Sequence, residues 1–130
     1  MRKIIVSEFV SLDGVIEDPD TGKPTLVGVF EKMAATVFPA EQPEFGIYFQ
    51  LTGLNGSYRF EIEILGEDLQ TVLGRLAFPD VFEFEDPLLR VSTWISVDGV
   101  TWPGPGRYSV RLLYNGRIAE DTPLIVERNP

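Results

Sequence analysis

A chain of 130 residues with 44% hydrophobic and 24% charged side chains is long enough to bury one core and too apolar for a disordered segment. Eleven basic against twenty acidic residues leave a formal charge of -9, which repels a phosphate backbone or an anionic bilayer, so neither nucleic acid nor membrane is an expected partner. Neither histidine nor cysteine occurs, which removes the near-neutral proton shuttle, the thiolate nucleophile, any disulfide and the two commonest transition-metal ligands.

At the N-terminus, MRKIIVSEFVSLDG places two basic residues before an apolar run, but Glu8 and Asp13 interrupt that run before a signal core or membrane span is complete. A cytoplasmic protein of one domain, residues 1–130, is therefore expected. RKIIVSEFV and TLVGVFEKM read as the opening strands, joined by a stretch rich in Gly, Pro and Asp. In that stretch Glu17, Asp18 and Asp20, with Asp13 nearby, make an oxygen-rich loop. It lacks the ordered spacing and distal Glu of an EF-hand, so a solvated turn is expected and no metal.

FGIYFQLTGLNGSYRFEIEIL predicts a β-hairpin. Phe45, Ile47, Phe49 and Leu51 alternate on one strand, Tyr58, Phe60, Ile62 and Ile64 on the next, and Asn55-Gly56 between them suits a type I′ turn. Arg59, Glu61 and Glu63 then face solvent. TVLGRLAF, VFEFE and LLRVSTWISV follow as strands separated by Pro79-Asp80 and Asp86-Pro87, and the PGPG run at 103–106 is a loop. GRYSVRLLYNGRIAEDTPLIVERNP predicts a second hairpin around Asn115-Gly116, with Pro123 marking an edge or a break because it lacks a backbone donor. EKMAATVF and EDLQTVL hold at most a helical turn or two. The repeated pattern of VSLDGV at 10–15 and ISVDGV at 95–100 reads as strands entering tight turns. The expected fold is all-β, an antiparallel β-sandwich of immunoglobulin-like or related Greek-key topology with about seven to nine strands.

No constellation of catalytic residues emerges. Glu61 and Glu63 share a strand face, as glycosidic carboxylates could, but Arg59 beside them is the pattern of an exposed strand. Serine chemistry lacks a base and a nucleophile elbow, and PGPG lacks the Lys and helix of a phosphate loop. The candidate binding residues are aromatic and cationic side chains out of phase with the core. On LLRVSTWISV the series Leu89, Val91, Ile95 and Val97 points one way, leaving Arg90, Ser92, Trp94 and Ser96 on the other. Trp94 beside Arg90 suits an interface anchor or a stacking platform. Trp102, next to the PGPG loop, and Arg111, in phase with Arg107, complete the set.

VFEKMAATVFPAEQPEF, the hairpin after it and PGPGRYSVRLLYNG together resemble a family of small bacterial β-sandwich domains of unknown function, over nearly the whole chain. The resemblance is carried by Gly28, Val29 and Phe30, by Phe38 and Pro39, and by Pro105, Gly106 and Tyr108, and it implies a fold but no catalytic residue. MRKIIVSEFVSLDGVIEDP alone looks like the opening of bacterial dihydrofolate-reductase-like domains, whose nicotinamide site needs helices and a Gly-rich phosphate turn that this chain lacks. The expected role is a non-catalytic binding or interaction module without cofactor, engaging a protein partner or its own copy through a sheet edge or face. A small-ligand receptor for a sugar or nucleotide-like signal is the alternative, and it requires Trp94, Trp102 and the arginines to converge on a concavity. A nicotinamide-dependent reductase is the second alternative.

Overall fold

Alternating apolar residues organise the computed structural model, which describes residues 4–129, into strands throughout. Thirteen are formed, with no helix among the described residues: β1 (Ile5–Glu17), β2 (Pro24–Phe30), β3 (Lys32–Ala35), β4 (Ala40–Glu41), β5 (Phe45–Thr52), β6 (Gly56–Tyr58), β7 (Phe60–Leu65), β8 (Val72–Ala77), β9 (Phe82–Phe84), β10 (Val91–Val97), β11 (Thr101–Trp102), β12 (Gly106–Tyr114) and β13 (Arg117–Arg128). The count exceeds the expected seven to nine because β3, β4, β6 and β11 are pairings of two to four residues within stretches that read as loops or as parts of longer strands. The part of the first predicted strand at Arg2 and Lys3 lies outside the described residues. EKMAATVF forms β3 and a bend, and EDLQTVL forms a turn leading into β8, so neither holds helix.

Two larger sheets dominate. One has the order β10-β5-β1-β2 and is antiparallel throughout; the other has the order β3-β13-β12-β7-β8 and is antiparallel except for the parallel β3–β13 pair. A single core cluster draws on both, with Phe9, Phe45, Ile47, Phe49 and Leu51 from the first and Ile62, Ile64, Val110, Leu112 and Leu124 from the second.

The first predicted hairpin does not form. β5 and β7 belong to different sheets, and Phe49 meets Phe60 across the core at 5.7 Å between ring centroids. The turn chemistry explains the difference. A type I′ turn needs positive φ at both central residues, and only Gly56 has it, at 112°. The Tyr58 hydroxyl instead clasps the Asn55 backbone, accepting from its N–H at 3.1 Å and donating to its carbonyl at 3.0 Å. Placing the two strands in different sheets lets both alternating apolar sets enter one core.

The second hairpin forms as expected. β12 and β13 pair from Tyr114 opposite Arg117, with Asn115 and Gly116 at φ 47° and 77°. Pro123 sits opposite Ser109 inside a continuous β13, at a point where β3, which pairs only Ile125 to Arg128, leaves the other side of the strand open. The two Asp-Gly echoes differ: Asp13-Gly14 lies within β1, whereas Asp98-Gly99 follows β10 and Gly99 takes φ 72°. Glu63 is also not solvated. It is buried on β7 and accepts two hydrogen bonds from Arg75, at 3.1 and 2.6 Å.

The Asn115-Gly116 turn sets the β12–β13 register, and Gly116→Ala places a Cβ in the left-handed region. A loss of about 1 kcal/mol is expected in urea unfolding; unchanged stability shows that the turn does not require that conformation.

Candidate functional site

β10 is an edge strand, and its register against β5 decides what it presents. Val91 lies opposite Leu51, Ile95 opposite Ile47 and Val97 opposite Phe45, so the odd-numbered residues join the core face. Trp94 lies opposite Tyr48 on the reverse face, half-buried, with ring centroids 6.5 Å apart and planes inclined by 27°. The phase read from the sequence therefore holds for Trp94, although Leu89 precedes the strand and is exposed.

The same face continues inward across the sheet. Val10 lies opposite Tyr48, Leu12 opposite Gly46 and Val29 opposite Leu12, giving a run of apolar side chains from the β10 edge to β2. Tyr48 and Leu12 are 3% and 0% exposed, while Val29 is 53% exposed. The Gln50 amide donates to the Tyr48 hydroxyl at 2.7 Å, which satisfies the polar end of an otherwise buried ring. Arg90 immediately precedes β10 and Asp98 immediately follows it; both are exposed, and neither enters an ion pair among the described residues.

The other candidates lie elsewhere. Trp102 is 1% exposed, packs on Tyr108 at 4.7 Å and donates from Nε1 to the Gln42 side-chain oxygen at 3.0 Å. It is a core residue, and its indole is unavailable to a ligand or partner at the surface. Arg111 projects from the second sheet in a row directly across four strands, Asp121, Arg111, Glu63 and Arg75. Asp121 accepts from Arg111 Nε at 2.7 Å and holds its pKa above the ordinary arginine value. That guanidinium is engaged within the chain rather than offered to an anion. Of Arg90, Trp94, Trp102 and Arg111, only Arg90 and Trp94 belong to the same stretch of chain, Arg90 just before β10 and Trp94 at its centre, four residues on.

A cavity of about 500 Å³, not anticipated from the sequence, lies on the second sheet and is lined by Glu67, Leu69, Arg107, Asp121 and Pro123 among others. Glu67 and Leu69 come from the β7–β8 turn, and the Arg107 backbone N–H donates to Glu67 Oε1 at 2.9 Å, tying that turn to β12. The only sequence signal was the polar cluster Glu67-Asp68, which periodicity does not distinguish from any surface turn. At the acidic loop after β1, the Asp18 carboxylate accepts from the N–H groups of Asp20 and Thr21, as the turn reading expects. No group of three or more carboxylates among the described residues is arranged to hold a metal ion, and no described helix is long and apolar enough to cross a membrane.

The β7–β8 turn also contains a carboxyl group whose pKa is depressed. A hydrogen bond from the Thr71 hydroxyl, then those from the Thr71 and Gln70 N–H groups, lower the Asp68 carboxyl from 3.8 to about 2. Because the folded value is the lower one, the associated stabilisation is complete above 3.8 and disappears as pH falls through about 2. An NMR titration should find the Asp68 midpoint near the depressed value, and Thr71→Val should raise it. A midpoint at the ordinary aspartate value in the unmodified chain would show that these bonds do not form in solution.

The chain belongs to a family of unknown function, DUF6941, whose model matches residues 9–127. No curated protein matches it. The likeness read from its sequence to small domains of unknown function thus extends over nearly all of its length, whereas the reductase likeness ends at Pro19, two residues past β1.

Proposed function

From a family that assigns no activity, and from the geometry of β10, we propose that this chain is a non-catalytic protein-interaction module of the cytoplasm. In this reading the two larger sheets pack as a β-sandwich of immunoglobulin-like or related topology, for which the shared core cluster is the support. The working surface is the β10 edge together with the adjoining face.

The observation that carries the reading is Trp94, half-buried on an edge strand and stacked on a buried Tyr48, with the unpaired backbone of β10 beside it. An aromatic side chain held rigid by a second ring loses little entropy on docking, and an open edge supplies a ladder of donors and acceptors. Exposed Leu88 and Leu89 extend the apolar surface at the start of the strand. The small-ligand alternative required Trp94, Trp102 and Arg111 to converge, and their placement in an edge, a core and an ion row removes that support.

The test compares the chain and its Trp94→Ala variant, both purified and in a soluble extract of the source cells, by light scattering and size-exclusion chromatography. The unmodified chain should run in a complex in at least one setting. The variant should weaken that complex by about thirtyfold, equivalent to about 2 kcal/mol. A monomer in both settings, or a complex indifferent to the substitution, would falsify the reading.

A further inference from the structure

The four edges of the two larger sheets are not alike. β2 begins at Pro24 and contains Gly28 at φ 67°, β3 has four residues and starts at Lys32, and β8 carries Arg75 and a register shift against β7. Each has a feature that discourages pairing with another strand. β10 has none: its seven residues include no charge and no proline, and its register against β5 runs without a shift.

The order of residues in β10 points to what covers this edge. Val-Ser-Thr-Trp-Ile-Ser-Val reads almost the same in both directions about Trp94. An antiparallel strand pair related by a two-fold axis sets each residue opposite the one equally far on the other side of the centre. About Trp94, Val91 meets Val97 of the second copy, Ser92 meets Ser96, Thr93 meets Ile95, and the two Trp94 side chains meet on the axis. The same symmetry sets Arg90 opposite Asp98 at both ends. These are exposed, oppositely charged side chains without ion-pair partners among the described residues, and each stands four residues from Trp94, the even spacing that an extended chain keeps on one face.

We infer that the occupant of this edge is a second copy of the chain, paired β10 to β10 in the register centred on Trp94, so that two four-stranded sheets join into one of eight. The inference rests on the interaction reading above and names its partner. Directly opposed side chains share a sheet face, so the Arg90 and Asp98 pairs flank the aromatic row that runs from Tyr48 through both Trp94 rings to the second Tyr48. The flanking pairs also select the register: a slip by two residues moves both arginines away from both aspartates. A slip by one residue opposes side chains on different faces.

Sedimentation of the purified chain should show a concentration-dependent dimer. Arg90→Asp alone sets Asp against Asp98 and should weaken the dimer by about tenfold, and Asp98→Arg alone should do the same. The two changes combined should restore association to within about threefold, a recovery that a folding defect would not produce. The chain has no cysteine, so a cross-link reads the register directly. Under mild oxidation a mixture of Ser92→Cys and Ser96→Cys chains should give a covalent dimer, because directly opposed strand residues lie within reach of a disulfide, while neither variant alone should. A monomer at every concentration overturns the dimer, while a Trp94-dependent complex in extract would leave the broader interaction reading intact. A dimer that ignores the charge reversals, or that cross-links as readily through Ser92→Cys alone, overturns this register.

Discussion

β5 is the element on which the remaining structure depends. It lies between β10 and β1, and its side chains are buried on both faces: Phe45, Ile47, Phe49 and Leu51 enter the core, while Tyr48 lies under its neighbours on the other side. Phe49 touches Phe60 and Phe78, and Phe60 in turn meets Phe82, so aromatic packing that begins on β5 fixes the position of β7 and of the β8–β9 connection. β5 is internal to its sheet, with β10 on its outer flank as the edge strand.

The reverse faces of the two sheets resolve their polar groups differently. On the second sheet, Asp121, Arg111, Glu63 and Arg75 alternate in sign across four strands, and the two hydrogen-bonded pairs keep their charges within the chain. On the first sheet the corresponding positions are Trp94, Tyr48, Val10, Leu12 and Val29, whose apolar surface is only partly covered. The row on the second sheet is complete in the isolated chain. The row on the first ends in an aromatic side chain beside an edge strand, and for that reason the proposed interaction surface lies there.

Much of this was legible in the residues. Alternation identified every strand of six residues or more at least in part, and the Asn115-Gly116 hairpin followed from local turn chemistry. The phase of Trp94 was correct because the seven residues of β10 have an unambiguous core face. The hairpin at Asn55-Gly56 was misread because its dipeptide is identical to the one at 115–116, and only the φ of the Asn and the Tyr58 clasp separate the two cases. Glu63 read as solvated and Arg111 as available for binding for a related reason: their partners, Arg75 and Asp121, are brought opposite them only by strand register.

By itself the sequence determined the all-β class, the absence of thiol and imidazole chemistry, the faces of the long strands and the near-symmetric order of β10, because each follows from residue identity or from a period of two. The tertiary structure alone decided that β5 and β7 part into different sheets, that Trp102 is core while Trp94 stands at an edge, and that Arg111 is paired. Those outcomes depend on which strands become neighbours. Neighbour choice is settled by the joint burial of side chains far apart in the chain, which no local pattern encodes.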